Sequence, residues 1–372
     1  MRRITLIQVG FGTVGGAVID QVLEQQERWK VLLGLEVVVG AVGGQEGAVV
    51  DSAGIPAETL RRFVEGRRRG ERLSALASAP LIPLSGALNV ASEPSVTIVL
   101  DAAAGEATAA LDAAALRAGG GVVLSNKAPL AIPSESGLTE ILWSAAAHQT
   151  HLRYEATCGA GLPIISSLRS LLATGDEVLE IQGALSGTLG AIFADLAVGT
   201  PFSKAVRDAK ARGYTEPDPR DDLSGLDVAR KALILARTIG RRIDLSEMTI
   251  ESLVPDKLQG VSVDEFLDRV VDVDDNFAKR TEAAWAVGAT LKYVATVSPG
   301  GKIAVGVREI PATGVLGALQ GPENVVSIRT RRYDAYPMTI VGPGAGADVT
   351  AAGMIADVLA LAAGSLGGSV SR

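Results

Sequence analysis

The chain has 372 residues, of which 47% are hydrophobic and 4% aromatic, and its formal net charge is −7 at pH 7. This length predicts two domains, and the acidic balance argues against a nucleic-acid partner or an acidic membrane surface. Cys158 is the single cysteine, which excludes a disulfide framework and a cysteine metal site. We find no signal peptide and no apolar stretch of membrane-spanning length, and we expect a cytoplasmic protein.

The N-terminal segment has the pattern of a dinucleotide-binding loop. Hydrophobic periodicity predicts a buried strand over residues 4–9 and a helix over about residues 14–27. The loop between them has the spacing G-x-G-x-x-G, with Gly10, Phe11, Gly12, Thr13, Val14 and Gly15 in order. In this context the glycines allow a tight turn and a close approach of a pyrophosphate, and the helix N-terminus favours the anion. We therefore predict that this loop binds NAD or NADP.

The second predicted strand, residues 35–42, bears on the choice between the two cofactors. An acid at its end would bind the ribose 2′-hydroxyl of NAD. The residues that follow are Gly43, Gly44, Gln45 and Glu46, with no acid at the strand end and no nearby arginine for a 2′-phosphate. The run Arg67–Arg69 is predicted to be a solvated helix face. The sequence therefore leaves both NAD and NADP open.

Two more strands, residues 96–100 and 122–124, flank a helix predicted over about residues 107–118. The carboxyl ends of parallel strands face one ligand crevice, so the residues just beyond them are candidate cofactor contacts. These candidates are Ala102, Ala103, Ser125 and Lys127, together with Gly344 in a glycine-rich loop before the final predicted helix. Lys127 is also a candidate catalytic residue, and the alternative is an ordinary surface lysine.

The segment from residue 152 to 163 is predicted to be a strand, then a glycine-rich turn, then a helix that opens at Pro163. Glu155 and the carbonyl oxygens of the turn are suited to a hard cation, although such loops often only turn the chain. Thr188 follows a strand over residues 181–185, at the start of another helix. The remaining strands are predicted in an antiparallel or mixed sheet over residues 291–297, 303–307, 325–329 and 339–341.

Residues 213–231 combine turn-forming residues with a high density of charge. The carboxylates are Glu216, Asp218, Asp221, Asp222 and Asp227, and two prolines are expected to stiffen the loop. Ser224 is predicted to cap the next helix, in which Asp227 and Lys231 lie four residues apart on one face. A lysine beside carboxylates keeps its charge and can orient or protonate an oxygen. The alternative is a helix cap and an ordinary surface ion pair.

These motifs resemble those of the homoserine dehydrogenases over nearly the whole chain, from residue 9 to about 353. The matching stretches are VGFGTVGG, SNKAPL, YEATCGAGLPIISSLR, GALSGTLG, GYTEPDPRDDLSGLDVARK and YPMTIVGPGAGADVTAAG. The resemblance implies reduction of L-aspartate 4-semialdehyde to L-homoserine with NADPH or NADH, in threonine and methionine biosynthesis. It also implies a homodimer, and no feedback through a C-terminal regulatory domain.

The resemblance also implies roles for individual residues. Lys231 and Lys127 would act on the reacting carbonyl with Asp227 beside them, and Glu216, Asp222 and Thr188 would bind the substrate. A monovalent cation, Na⁺ or K⁺, would be held by Glu155 and the main-chain carbonyls of Cys158, Ala160 and Leu162. One departure is Ala128, where the family often has a second lysine.

The predicted fold class is α/β. A Rossmann-like dinucleotide-binding domain would comprise residues 1–150 and 339–372, and an α+β substrate-binding, catalytic and dimerisation domain would comprise residues 151–338. Two other functions stay open at this point. One is a different NAD(P)-dependent amino-acid or semialdehyde dehydrogenase on the same fold, and the other is a catalytically silent NAD(P)-binding regulator. A silent regulator would be expected to lack the two lysines.

Overall fold

The computed structural model describes residues 1–90, 95–148 and 151–364. The strands of this part of the chain are β1 (Arg2–Val9), β2 (Leu35–Gly44), β3 (Gly47–Val50), β4 (Ser95–Asp101), β5 (Gly121–Leu124), β6 (Leu152–Arg153), β7 (Val178–Ala184), β8 (Thr249–Ile250), β9 (Ala289–Val297), β10 (Ala304–Pro311), β11 (Glu323–Thr330) and β12 (Met338–Pro343). The helices are α1 (Thr13–Leu33), α2 (Ala57–Arg68), α3 (Leu73–Leu76), α4 (Ala109–Arg117), α5 (Ala128–Ala131), α6 (Gly137–His148), α7 (Ile164–Ala173), α8 (Gly187–Ala197), α9 (Phe202–Ala211), α10 (Pro219–Leu223), α11 (Leu226–Thr238), α12 (Val263–Arg269), α13 (Asp274–Ala286) and α14 (Ala347–Gly364). The predicted α/β class is confirmed.

The chain divides into two compact units. The first comprises Met1–Gly161 and Ala345–Arg372, and the second comprises Leu162–Gly344. Each unit is built on its own sheet. Because the final helix belongs to the first unit, this unit is discontinuous in sequence.

The sheet of the first unit has the strand order β3-β2-β1-β4-β5-β6. Its strands are parallel except β3, which pairs antiparallel with β2. β1 is buried from Ile4 to Val9, as expected for a strand covered on both faces by helices. The strand order reverses between β1 and β4. This is the position at which a doubly wound sheet opens a ligand crevice.

Helices α1 and α14 contribute to the core of the first unit. Val18 of α1 and Met354 and Val358 of α14 belong to the same buried cluster as Ile4 and Leu6 of β1. α14 is also long and apolar enough to cross a membrane, with a mean hydropathy of 1.5, and 44% of it is buried. The prediction that no apolar stretch reaches that length was therefore wrong, although burial in the core accounts for the composition of this helix.

The segment around the predicted turn at residues 154–163 departs from the sequence prediction. β6 ends at Arg153, and Glu155–Thr157 forms a 3-10 turn instead of continuing a strand. The helix α7 begins at Ile164, so that Pro163 is its N-cap and not its first residue. The amide of Glu155 donates to the Asp357 carboxylate (2.8 Å), a contact with α14 that a strand pattern does not reveal.

The sheet of the second unit has the order β12-β11-β7-β9-β10-β8, and its pairs are antiparallel except β8 with β10. The predicted antiparallel or mixed sheet is therefore confirmed as mixed. Helices α8, α11 and α13 contact β9, the strand next to β7. α8 and α11 therefore both pack on this sheet, and Lys231 of α11 reaches the Leu185 carbonyl just before α8.

The acidic segment contains a short helix where a loop was predicted. Asp218 caps α10, its carboxylate accepting the amide of Arg220 (3.0 Å), and Pro219 is the first residue of that helix. The N-cap of α11 is Gly225, with φ +73°, and not Ser224. Ser224 still supports the junction, because its hydroxyl accepts the amide of Leu226 (3.2 Å). The prediction of a serine capping box was wrong because a left-handed glycine turns the chain directly between two helices.

Candidate active site

The loop after β1 is pressed against the loop after β4. Gly10 has φ +77°, and a Cβ atom there would lie 2.3 Å from the Ala103 nitrogen, so only glycine fits both the turn and the contact. The Gly10 amide donates to the Gly43 carbonyl oxygen at the end of β2 (3.0 Å). The structure therefore brings together three predicted cofactor-binding elements, at the carboxyl ends of β1, β2 and β4.

The other two glycines of the loop have different surroundings. A Cβ atom on Gly15 would lie 2.1 Å from the Gly10 carbonyl oxygen, whereas one on Gly12 would meet nothing within 4 Å. Gly12 and Thr13 are exposed, and Gly12 is the N-cap of α1 without a side-chain cap. The first N–H groups of a helix have no intrahelical acceptors and attract an anion. The loop therefore fits the pyrophosphate of a dinucleotide, with an open backbone approach at Gly12.

A buried polar network, which the sequence did not reveal, joins the loops after β4 and β5. The Asp101 carboxylate accepts the amide of Ala103 (2.9 Å), the hydroxyl of Thr108 (2.6 Å) and the side-chain amide of Asn126 (3.0 Å). Asn126 also donates to the Gly105 carbonyl (2.8 Å). Asn126 immediately precedes Lys127, so the network fixes the backbone from which the candidate catalytic lysine projects.

A second acid, Asp112 of α4, lies beside this network. Burial raises the pKa of Asp112 well above its ordinary value, and the charge of Asp101 and a hydrogen bond with it raise it further. Burial also raises the pKa of Asp101, while hydrogen bonds from Thr108, Ala103 and Asn126 oppose the shift. Two adjacent buried carboxyl groups do not both ionise readily. Burial and the neighbouring charge of Asp101 therefore both favour the protonated form of Asp112.

The carboxyl end of β2 lies near arginines that the sequence did not place there. Arg67 of α2 donates from Nε to the Phe11 carbonyl of the glycine-rich loop (3.3 Å). A hydrogen bond from Ser74 lowers the pKa of Glu46 just beyond β2, and the charges of Arg72 and Arg67 lower it further. The prediction of no arginine near this strand end was wrong, and Arg67 does not belong to a solvated face.

Lys231 lies at the candidate catalytic position of the second unit. Its side chain is 10% exposed, and its Nζ lies 2.8 Å from the carboxylate of Asp227, whose side chain is 47% exposed. The same Nζ donates to the Leu185 carbonyl at the end of β7 (2.7 Å). The pair is therefore not an ordinary surface ion pair, because its cation is buried and is also anchored to a second element.

The predicted substrate-binding residues Thr188, Asp222 and Glu216 contact one another where α8 meets α10. The Thr188 hydroxyl of α8 lies 2.9 Å from Asp222 Oδ1 and 2.5 Å from the Tyr214 carbonyl oxygen. Asp222 Oδ2 accepts the amide of Glu216 (2.8 Å). Burial raises the pKa of Asp222, hydrogen bonds from Glu216 and Thr188 lower it, and the charges of Asp227 and Asp221 raise it.

The acidic segment also contains groups with a structural task. Asp218 forms an ion pair with Arg220 (2.7 Å), and this arginine donates to the carbonyls of Leu258, Gln259 and Val261. These contacts attach the segment to the chain beyond β8. The charged residues of the segment therefore have two tasks: Asp218 and Arg220 form a structural clamp, and Asp227 pairs with the buried Lys231.

The predicted cation loop lies mainly in the first unit. Ala160 there has φ +55°, the one non-glycine residue of positive φ in the described chain, and Glu155 and Cys158 are buried. Leu162 begins the second unit, and its carbonyl accepts the amide of Ile164 (2.8 Å). The described residues contain no cluster of three or more His, Cys, Asp or Glu side chains suited to a metal. The predicted ligand set, one carboxylate and main-chain oxygens, is compatible with a hard cation.

The last predicted cofactor contact, Gly344, ends the second unit and packs against Asn324 of β11. A Cβ atom on Gly344 would lie 1.8 Å from the Asn324 side-chain nitrogen. Asn324 is 1% exposed, and neither polar atom of its amide has a hydrogen-bond partner in the described part of the chain. Asn324 is a candidate functional residue that sequence reasoning missed, since nothing in its local pattern differs from that of an ordinary strand residue.

Comparisons with known proteins agree on one family. The family model of homoserine dehydrogenase matches residues 163–359, and that of the homoserine dehydrogenase NAD binding domain matches residues 10–155. The chain is 36% identical over 370 residues to the chloroplastic bifunctional aspartokinase/homoserine dehydrogenase 2 of Arabidopsis thaliana, covering 97% of this chain and 39% of that protein. It therefore spans about two-fifths of the length of that bifunctional relative.

Two further proteins match over most of their length. The homoserine dehydrogenase of Emericella nidulans is 39% identical over 302 residues, which covers 78% of this chain and 82% of that protein. The crystal structure of a Candida auris protein of unknown function is 32% identical with a TM-score of 0.83, covering 98% of this chain and 99% of that one. Since the two family models follow one another along the sequence and the fungal relative matches over most of both chains, this chain belongs to the homoserine dehydrogenase family.

Proposed function

We propose that the protein is an NAD(P)-dependent oxidoreductase that interconverts L-homoserine and L-aspartate 4-semialdehyde, in threonine and methionine biosynthesis. The observation that carries the proposal is the buried ammonium group of Lys231, held by Asp227 and by the Leu185 carbonyl. When bound, the nicotinamide supplies a hydride to the aldehyde carbon or accepts one from the alcohol. The protein has to bind the substrate, orient it and move a proton.

Lys231 is the residue that we assign to the substrate oxygen. In the reducing direction, negative charge develops on the carbonyl oxygen, and a fixed ammonium group stabilises it and donates a proton. The Leu185 carbonyl and the Asp227 carboxylate hold this ammonium group in place before the reaction begins. Lys127, which follows Asn126 beyond β5, is the second catalytic lysine that the family resemblance implies.

The substrate ammonium is assigned to Glu216 and Asp222. Asp222 is oriented by the Thr188 hydroxyl and by the amide of Glu216, so its carboxylate is fixed before a ligand arrives. Fixing a charged group in advance reduces the entropy that binding costs. Thr188 is assigned to the same subsite because its hydroxyl lies against both Asp222 and the Tyr214 carbonyl.

We assign the remaining roles by unit. The first unit, Met1–Gly161 with Ala345–Arg372, is assigned to dinucleotide binding, and the second unit, Leu162–Gly344, is assigned to substrate binding, to Lys231 and to the pairing of two chains into a homodimer. The cofactor contacts are Gly10, Phe11, Gly12, Thr13, Val14, Gly15, Ala102, Ala103, Ser125, Lys127 and Gly344. A monovalent cation, Na⁺ or K⁺, is assigned to Glu155 and to the carbonyls of Cys158, Ala160 and Leu162. We expect the protein to act in the cytoplasm.

The test is the initial rate of L-homoserine oxidation, followed by nicotinamide absorbance, with NAD and NADP in parallel. Turnover with either cofactor is the expected result. A panel of other amino-acid alcohols and semialdehydes serves as the comparison. A clear preference for another member of the panel would point to a different dehydrogenase on the same fold. No turnover with any substrate, from folded protein that binds the dinucleotide, would overturn the enzymatic assignment.

A further inference from the structure

Asn324 of β11 carries a buried amide that the rest of the described chain does not use. The residue is 1% exposed, and neither Nδ2 nor Oδ1 has a hydrogen-bond partner among the residues that the structure describes. A buried polar group without a partner costs about 1–3 kcal/mol, and here both a donor and an acceptor are affected. An apolar side chain of similar size would avoid this cost. The amide therefore points to a task other than packing.

The pairing of the strands sets Asn324 beside the anchor of Lys231. β11 runs antiparallel to β7, with Val325 opposite Ala184. The next position of this register brings Asn324 to Leu185, whose carbonyl accepts the Lys231 ammonium (2.7 Å). Val325 and Ala184 share one apolar cluster, so the alternation of side chains along a strand turns Asn324 to the opposite face.

The first turn of α8 packs on the chain just before Asn324. A Cβ atom on Gly187 would lie 3.1 Å from the Pro322 carbonyl oxygen, two residues before the asparagine. Gly187 immediately precedes Thr188, which lies against the carboxylate of Asp222 (2.9 Å). Asn324 is therefore next to the two elements that carry the proposed chemistry, the anchor of the catalytic lysine and the first turn of α8.

Glycine main chain covers the Asn324 amide. A Cβ atom on Gly344 would lie 1.8 Å from Nδ2 and 2.5 Å from Oδ1, so no side chain is tolerated there. Asn324 is also paired with Gly342 in the β11–β12 ladder. Glycine has a wide range of backbone conformations and no side chain to repack. The amide is therefore covered by a segment that can shift to admit a ligand.

The two unmet hydrogen bonds define the ligand group. A carboxylate would satisfy only the Nδ2 donor, and an ammonium group would satisfy only the Oδ1 acceptor. A primary carboxamide satisfies both, through two parallel hydrogen bonds. The nicotinamide ring carries such a group, and homoserine does not. The ring also has to lie beside the carbon whose oxygen contacts Lys231, because hydride passes directly between the two.

We propose that Asn324 binds the carboxamide of the nicotinamide and thereby orients the ring for hydride transfer. The inference rests on the proposed dehydrogenase function, because that function brings the ring to Lys231. Oδ1 accepts an N–H of the carboxamide, and Nδ2 donates to its carbonyl oxygen. Fixing the ring in this way lowers the entropy cost of reaching a reactive geometry.

The experiment compares NAD⁺ and NADP⁺ with their 3-acetylpyridine analogues, in which a methyl group replaces the NH₂ of the carboxamide. Calorimetric titration of the whole protein measures the four affinities. The analogues keep the acceptor and lose the donor, so we expect the wild type to bind them about three- to tenfold more weakly. Asn324→Leu should weaken binding of the nicotinamide cofactors by roughly 5- to 50-fold and bring their affinity to that of the analogues.

Matched variants separate this role from a structural one. Asn324→Asp keeps an acceptor for the carboxamide N–H, so it should retain the preference over the analogues at lower affinity, even where Asn324→Leu does not fold. Ser327→Ala changes a half-buried residue of the same strand that faces the other side, and should leave all affinities unchanged.

Three results would overturn the proposal. The first is equal affinity of the wild type for the nicotinamide and acetylpyridine forms. The second is a loss of affinity in Asn324→Leu that both forms share equally, which is the result expected of a purely structural residue. The third is an effect of Asn324→Leu on the KM of L-homoserine alone, which would assign the amide to the substrate carboxylate.

Binding and turnover can fail independently. A protein that distinguishes the two cofactor forms through Asn324 but does not oxidise homoserine would overturn the proposed function and leave the carboxamide contact in place. A protein that oxidises homoserine but binds both forms equally would do the reverse.

Discussion

Helices α9 and α11 each carry a lysine and an aspartate four residues apart, and both pairs form ion pairs. The Lys204–Asp208 pair of α9 has an N–O distance of 2.5 Å, and its side chains are 59% and 42% exposed. The Lys231–Asp227 pair of α11 has a similar distance of 2.8 Å, but its lysine is 10% exposed. An exposed pair of this kind contributes only a few tenths of a kcal/mol. The sequence spacing is the same in both pairs, so it is the burial of the lysine that distinguishes the pair we assign to catalysis.

The strongest test of this comparison exchanges each lysine for alanine. We expect Lys231→Ala to lower kcat for homoserine oxidation by about 10²-fold or more, because the developing oxyanion loses its cation and its proton donor. We expect Lys204→Ala to remain within about twofold of the wild type, because its pair is solvated. Steady-state kinetics with saturating cofactor measures both. Near-normal turnover of folded Lys231→Ala would remove the catalytic assignment.

The same contrast applies to two glycines of positive φ. Gly10 has φ +77° and touches Ala103, whereas Gly34 has φ +66° and a Cβ atom there would meet nothing within 4 Å. We expect Gly34→Ala to cost about 1 kcal/mol of stability, from backbone strain alone. Gly10→Ala should cost at least about 2 kcal/mol and also abolish dinucleotide binding, since the loop has to move. Scanning calorimetry with and without cofactor compares them. Equal shifts in Tm would show that the contact of the added Cβ atom with Ala103 costs little free energy.

A third and smaller effect concerns two acids with opposite pKa shifts. Burial raises the pKa of Asp112, so its contribution to stability is present below about pH 4 and is lost as the pH rises through its folded pKa. A hydrogen bond from Lys257 lowers the pKa of exposed Asp272, so its contribution is present above about pH 4 and is lost on acidification.

Asparagine substitutions test this difference in sign. Asp112→Asn keeps the shape of the side chain but has no proton to lose, so it should gain up to about 1 kcal/mol relative to the wild type between about pH 5 and pH 9. Asp272→Asn should diverge from the wild type only at acidic pH. Melting curves over this range check both expectations. Parallel curves for Asp112→Asn and the wild type above about pH 5 would mean that Asp112 is not protonated in the fold.

The contrast between local and distant contacts also explains what could be predicted from the sequence. The segment from β1 through the glycine-rich loop to α1 was predicted because its strand, its glycines and its helix are contiguous in sequence. The hydrophobic pattern and the glycine spacing that specify it therefore lie within a short stretch of the chain. The strands β7, β9, β10, β11 and β12 of the second sheet were predicted for the same reason, whereas the two-residue strand β8 was missed. The Ser224 cap failed because the adjacent Gly225 can adopt a left-handed conformation, which removes the need for a serine at that position.

Long-range contacts decided the features that the sequence did not reveal. The anchor of Lys231 is a carbonyl 46 residues away, and that of Arg67 is a carbonyl 56 residues away. In the sequence, Arg67 looks the same as Arg68 and Arg69, because side-chain environment has no local pattern. The bridge from Asn126 to Asp101 was hidden in the same way, since both residues simply follow apolar strands.

That bridge limits how the protein can be re-engineered. Asn126 binds both Asp101 and the Gly105 carbonyl, so the two loops after β4 and β5 share one set of hydrogen bonds. A chimera that imports only one of these loops from another dehydrogenase would leave buried polar groups without partners. The hydrogen bonds of this network all lie within residues 101–128, so the two loops and the intervening helix have to be exchanged together.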